Sequence, residues 1–391
     1  MMYSGHETGK PSPLVVWDAR MIKSSGIGAY LRGLLPHLVK LAPEYGVKIG
    51  FIGPRKELEQ FEFFHHAVCH YEFDASLFSV REQLFFPRLP LASAYHFPHY
   101  NLPVARKCHF FATVHDLIPL TSPKFARNRL HRKIVSSKIG AIARGALAIF
   151  VPSEIVKQDL LERFPDAAQK TYVIPYAVSP DIVPIENNDR ARAIFQRYGI
   201  KQPYVLSVSI DKPHKNLRFL IRAVGELIAR TRTEFPLQLV IAGLRPPDKK
   251  RLLQFCLRET PWLTSAHIAL LDCYLSAEEL SALYAGASAV VQPSDYEGFG
   301  MPVIEAQQTG VLVVLPDLPW AHSVAGEGAL FFAPHSVESL CDVLRSALRD
   351  ESLRQSIIDR GRSNVERYQW EKSAHGVLLV YGSLLGTAWP R

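Results

Sequence analysis

Nowhere in its 391 residues does the chain hold an apolar run approaching the roughly 18 residues that a membrane-spanning helix needs. The first twenty residues, MMYSGHETGKPSPLVVWDAR, offer an apolar stretch too short and too soon charged for a signal core. Export is therefore not expected, and the chain is placed in the cytoplasm. Cysteine is scarce: Cys69, Cys108, Cys256, Cys273 and Cys341 are odd in number and lack close pairing, which disfavours a disulfide framework or a zinc site and suits a reducing compartment. They are expected as ordinary buried thiols. Internal repeats and low-complexity tracts are missing too, which argues against a solenoid or a disordered scaffold. Acidic residues vanish between Asp116 and Glu154, where Lys124, Arg127, Arg129, Arg132, Lys133, Lys138 and Arg144 interleave with Leu130, Ile134, Val135, Ile139 and Ile142. This segment reads either as a solvated helix face or as a basic amphipathic helix that meets anionic lipid or a phosphate-bearing substrate. The charge imbalance belongs to the first half, with 22 Lys+Arg against 15 Asp+Glu in residues 1–185 and 23 against 22 in the remainder. No nucleic-acid partner is expected.

What is present describes a globular protein, 48% hydrophobic and 21% charged, and too long for one ordinary core. Short apolar, β-branched runs alternate with helical patterns, the signature of parallel sheets with crossover helices. In the first half they are LVVWDAR, VKIGFIG, AYHFPHY, HFFATVHD, ALAIFVPS and TYVIPYAV; in the second, PYVLSVSI, LQLVIAG, HIALLDCYL, SAVVQPS and VLVVLP. Two doubly wound α/β halves are expected, divided in the polar stretch at 179–192, with a ligand cleft between them at the carboxyl ends of the strands.

EGFGMPVIEA, residues 297–306, follows one of the second-half runs. Pro302 suits the first position of a helix, and Gly310 suits its end. Free N–H groups at such a helix start attract anions, and Gly298 and Gly300 let a phosphate approach the backbone. Glu297 before the helix and Glu305 within it are then placed to accept bonds from hydroxyls on either side of a diphosphate. The plainer reading is a loop with surface glutamates.

EGFGMPVIEA resembles the Glu-x7-Glu motif of retaining glycosyltransferases with the GT-B fold, group 1. The likeness extends to LSAEELSALYAGASAVVQPSDYEGFG before the motif, PDLPWAHSVAGEGALFFAP after it, and YQWEKSAHGVLLVYGSLL near the end; DARMIKSSGIGAYLRGLL and ATVHDLIPL extend it to the first half. It implies a GT-B fold of two Rossmann-like doubly wound domains facing across a cleft. Residues 1–185 would form the acceptor domain, 186–368 the nucleotide-sugar donor domain, and 369–391 a helix crossing back. Glu297 would hold donor-sugar hydroxyls, and Glu305 the ribose. The N–H groups of Phe299, Gly300, Met301 and Val303 would meet the diphosphate or the adjoining sugar. Lys215 would neutralise the leaving diphosphate, His115 would face the donor sugar, Gly26 and Gly28 would lie beneath the phosphates, and Leu275 would meet the base. Ser209 stands where some members carry an arginine, which shifts the electrostatic task to Lys215 and the helix terminus, with His214 as a further candidate.

The chain contains no Asp-x-Asp pair, the usual holder of a metal-bound nucleotide diphosphate, so neither a metal nor another cofactor is expected. His65, His66, Cys69 and His70 fit no standard zinc spacing, and His96 and His99 either touch acceptor or pack a loop. The resemblance of DARMIKSSGIGAY and TVHDL to mannosyltransferases of surface-polysaccharide assembly implies a hexose transferred from GDP-mannose to a glycan or lipid-linked acceptor. A lipid-linked acceptor would set the basic segment on the anionic inner face of the membrane. A UDP-sugar donor, a nucleotide-sugar epimerase of the same architecture and a non-catalytic sugar-binding scaffold stand as alternatives.

Overall fold

The structure, a computed structural model, describes residues 12–386 apart from 25, 105–107, 126–127, 180, 184–187 and 232–235. Most of the N-terminal segment judged for export, Arg127, the extreme C-terminus and part of the stretch at 179–192 therefore lie outside the described residues.

Among the described residues, thirteen strands form two sheets, and every pairing is parallel. The first sheet runs β3-β2-β1-β4-β5-β6-β7. Its strands are β1 (Leu14–Asp18), β2 (Lys48–Ile52), β3 (Cys69–Tyr71), β4 (Ala94–Phe97), β5 (Phe110–Thr113), β6 (Ile149–Val151) and β7 (Thr171–Val173). The second runs β10-β9-β8-β11-β12-β13, with β8 (Tyr204–Val208), β9 (Gln238–Ala242), β10 (Ile268–Leu270), β11 (Ala289–Val291), β12 (Val313–Pro316) and β13 (Leu330–Phe332). Helices cover both faces, so most central strands are buried throughout, which is why they read as continuous apolar runs. Two strands escaped that reading. β3 is an edge strand within the His/Cys stretch, where His70 Nε2 bonds the Gly53 carbonyl at 2.8 Å and no metal-holding cluster exists among the described residues. β13 was implied only by the family likeness.

Strand order reverses between β1 and β4 and again between β8 and β11. Neighbouring crossovers diverge at such points and open a crevice at the carboxyl ends of the strands. Ser209 follows β8, and Ser294 to Glu297 follow β11, so the motif loop lies at one of these crevices.

The helix Trp370–Leu385 ties the second sheet to the first. It packs on the helix Gly26–Leu41 through Gly33, whose absent Cβ would lie 2.2 Å from the Trp370 ring. Trp370 Nε1 donates to the Val178 carbonyl at 3.0 Å, and Ser373 Oγ to that of Pro175 at 2.6 Å. Tyr381 bonds His96 Nδ1, and His96 Nε2 meets Thr113 Oγ1 at 2.8 Å. His96 is fully buried and stacks 3.6 Å from Trp17; burial, then nearby His115, holds it well below its ordinary pKa. It is a neutral core residue and no acceptor contact, whereas half-buried His99 stays near the surface. The thiols divide likewise: Cys256 and Cys341 are buried, Cys69 and Cys108 are intermediate, and Cys273, against expectation, is exposed.

Candidate active site

The helix Met301–Gln308 opens after Gly300, whose φ of 95° is left-handed and so favours glycine. It starts one residue before the position expected from Pro302 and ends before left-handed Gly310. The amides of Gly300 and Met301 meet no acceptor among the described residues. Val303 departs from the expected anion contact, because its N–H closes the first turn on the Gly300 carbonyl at 2.9 Å.

Two loops meet in front of this helix. Pro213–Lys215 forms a single 3₁₀ turn ended by left-handed Asn216 at φ 50°. Asn216 Nδ2 donates to the Pro293 carbonyl at 3.1 Å and to Asp295 Oδ1 at 2.5 Å, while the Asp295 N–H donates to the His214 carbonyl at 2.8 Å. This stitching delivers Lys215 Nζ to both oxygens of Glu297, at 2.6 and 2.7 Å, and Ser294 Oγ donates to Oε1 at 2.6 Å. Burial opposes the Glu297 charge, but Lys215 and Ser294 outweigh it, and the carboxyl sits below its ordinary pKa. His214 is buried and, beside Lys215, pushed down to about 4, so it brings no positive charge at neutral pH. Ser209 is buried, with its hydroxyl donating to the Ile210 carbonyl at 3.3 Å.

Glu305 lies apart from this pair. One of its oxygens accepts from Tyr284 at 2.7 Å, and burial raises its pKa despite that bond. Tyr284 comes from the helix Ala277–Ala285, whose N-cap Ser276 forms a capping box with Glu279. Leu275, half-buried, immediately precedes that cap. The two carboxylates thus have separate supports.

The first domain closes against the motif. The absent Cβ of Gly298 would lie 2.2 Å from the His115 carbonyl oxygen and 3.1 Å from Asp116 Cβ. Ser153 Oγ donates to the Gly298 carbonyl at 2.7 Å, and Tyr296 bonds Asp159. His115 is engaged at both ring nitrogens: Nδ1 with the Tyr176 hydroxyl, and Nε2 with the Pro98 carbonyl at 2.6 Å. Burial lowers its pKa to about 4, so the ring is neutral and reaches a sugar only by surrendering a bond. Phe299 inserts between Tyr176 and Tyr368, at 5.1 and 5.3 Å. Gly26 adjoins open space, but Gly28 is needed for packing: a Cβ there would meet the Ile22 carbonyl at 2.7 Å.

Sequence reasoning passed over Ser294, Tyr284, Asn216, Tyr176 and Asp116. The signals were thin: Ser294 ends the run SAVVQPS before the motif, and Asp116 adjoins His115. Asp116 is raised by burial, with the Ile118 N–H, Lys212 and Lys215 opposing and Glu297 adding to the rise, so it lies within electrostatic reach of the Lys215–Glu297 pair. A cavity of about 120 Å³ beside the loop, lined by Ser153, Pro175, Glu297, Phe299, Trp320 and Tyr368 among others, is smaller than the roughly 300–1,000 Å³ of small-molecule sites.

Known proteins share both the pattern and the fold. Residues 191–364 match the family described as glycosyl transferases group 1. The chain is 28% identical over 296 residues to the O-antigen chain mannosyltransferase B of Escherichia coli, covering 73% of each. It is 27% identical over 290 residues to the serotype-specific mannosyltransferase WbdA of Escherichia coli, covering 74% of this chain but 34% of WbdA. Among solved structures, a sucrose-phosphate synthase from Thermosynechococcus elongatus superposes with a TM-score of 0.71 at 19% identity, over 96% of this chain and 99% of that one, a likeness of fold.

Proposed function

From the premise that this chain is a group 1 glycosyltransferase of GT-B fold, similar to mannosyltransferases, we propose that it moves mannose from GDP-mannose to a growing surface glycan, with retention at the anomeric carbon. The observation that carries this reading is the buried Lys215–Glu297 pair before the glycine turn that opens the Met301 helix. Glu297, kept ionised, accepts bonds from sugar hydroxyls. Lys215 spends two N–H groups on Glu297 and has a third for a diphosphate oxygen. Together with the Gly300 and Met301 amides, it offsets the charge that grows on the leaving group. Glu305 takes the ribose of the nucleotide.

The bond from C1 to the phosphate oxygen breaks, the bond from C1 to the acceptor oxygen forms on the same face, and the departing phosphate takes the acceptor proton. No separate enzymatic nucleophile is used, and no metal is required. The donor enters when Gly298 parts from His115, and closure seals it. GDP-mannose is favoured because the mannosyltransferase relatives and the first-domain segments point the same way; a UDP-sugar is the second donor to test. The glycan acceptor is lipid-linked, and the enzyme works at the inner face of the membrane without spanning it. No described helix is long and apolar enough to cross a bilayer.

The test is turnover against a panel of GDP- and UDP-sugars with lipid-linked glycan acceptors, reading product anomer by NMR. An α-mannoside formed from GDP-mannose in chelator, and lost in Glu297→Ala, supports the reading. An inverted product, or an epimer formed without acceptor, overturns it.

A further inference from the structure

The short helix Val80–Phe85, VREQLF, is built inside out. Its acid, Glu82, is 0% exposed, while Val80 and Phe85 are 72% and 71% exposed and Leu84 is exposed beside them. Glu82 is fixed from several sides. Arg20 Nη2 donates to Oε1 at 2.6 Å, Asn101 Nδ2 to both oxygens at 2.8 and 2.7 Å, and the Phe78 N–H to Oε2 at 2.6 Å. Arg20 is itself gripped by Asp18, at 2.8 and 2.6 Å. A buried charge network therefore presents an apolar surface to water, reversing the ordinary arrangement of a surface helix.

The surface continues onto the basic segment. In the helix Arg129–Gly145, Leu130, Ile134 and Lys138 follow at four-residue steps and so share one stripe. Leu130 and Ile134 are exposed, and Lys138 Nζ at the end of the stripe donates to Gln83 Oε1 of the inside-out helix at 2.8 Å and to the Leu102 carbonyl at 2.5 Å. Leu91 is exposed a few residues beyond that helix. Exposed Arg81, Arg88, Arg129 and Lys133 accompany these side chains, and Arg81 pairs with Asp74 at 2.9 Å.

We propose that Val80, Leu84, Phe85, Leu130 and Ile134 enter the headgroup region of an anionic lipid bilayer, with the surrounding arginines and lysines on its phosphates. Charge decides between lipid and a second copy of this chain. A two-fold contact would set the basic side chains against themselves, whereas anionic headgroups neutralise them. This deepens the proposed lipid-linked acceptor and rests on it only for its purpose.

The test is pelleting of the full chain with vesicles of phosphatidylcholine alone and with roughly a quarter phosphatidylglycerol. Binding should rise at least about tenfold with the anionic lipid and fall about tenfold in Leu84→Ser/Phe85→Ser and in Arg129→Glu/Lys133→Glu, since apolar and charged contacts both contribute. Neither variant touches the core, so melting should not change, and transfer to a short water-soluble acceptor should persist. Equal pelleting with both vesicle types, or binding unmoved by both variants, overturns the inference. So does a dimer in lipid-free solution that the same substitutions dissolve. Pelleting needs no turnover, so failure of the transfer reading and failure of membrane docking are distinguishable.

Discussion

Replacing Lys215 by alanine gives the sharpest test of the paired site. The Glu297 side chain is 9% exposed and that of Lys215 16%, so Lys215→Ala strands a carboxylate in the protein with Ser294 as its remaining side-chain partner. Breaking such a buried pair from one side costs about 3–5 kcal/mol, and the slight access of water at Lys215 puts the expectation near the lower figure. The pH dependence reverses with it. In the wild type, Glu297 sits below its ordinary pKa, so its stabilisation is present above that ordinary value and is lost as pH falls through the depressed one. Without Lys215, burial dominates and raises the pKa, and stability falls as pH rises through and above the ordinary carboxyl value. The stability deficit of Lys215→Ala should therefore be larger at about pH 7.5 than at about pH 5. Adding Glu297→Gln should recover much of the loss, because the stranded charge is gone. Transfer should drop by roughly 10²–10³ in the single variant and stay low in the double. Unfolding midpoints at two pH values, with initial rates alongside, measure all of this. A single variant as stable as wild type at both pH values, or one that Glu297→Gln leaves unrescued, refutes the reasoning.

Other consequences are open to measurement. Gly298→Ala pushes a Cβ into the His115 carbonyl and should hold the lobes apart; kcat should fall about tenfold or more with little change in melting temperature, as steady-state kinetics and calorimetry would record. GDP affinity should weaken as pH falls through the raised pKa of Glu305, because a protonated carboxyl accepts ribose hydroxyls poorly, and titration calorimetry of Glu305→Gln should show a flatter pH profile. Gly33→Ala gains about 1 kcal/mol of helix propensity but drives a methyl into Trp370, at a cost of about 1–3 kcal/mol; thermal unfolding should show net destabilisation.

Much of this molecule is legible locally. A strand buried on both faces has to be apolar and β-branched whatever surrounds it, so β8, β9, β11 and β12 stand out in the sequence. The helix start at Gly300 to Pro302 follows from backbone geometry that glycine and proline impose without help from distant residues. Even the division into two doubly wound halves follows from the order of these elements. The partnerships within the site do not. Lys215 and Glu297 are 82 residues apart, and their contact exists because β8 and β11 are neighbours in a sheet whose order no local pattern encodes. His115 reads as a free ring at a strand end, yet Tyr176 and Pro98 occupy both its nitrogens. Glu82 is buried and Phe85 exposed, the reverse of what their polarity alone suggests, because Arg20 and Asn101 converge on the carboxylate beneath the helix. Sequence alone determined which backbone each short segment adopts, since that rests on interactions within a few residues. Tertiary structure decided which charge is paired, which is neutral and which apolar face meets water, because burial and electrostatic fields depend on residues brought together from far along the chain.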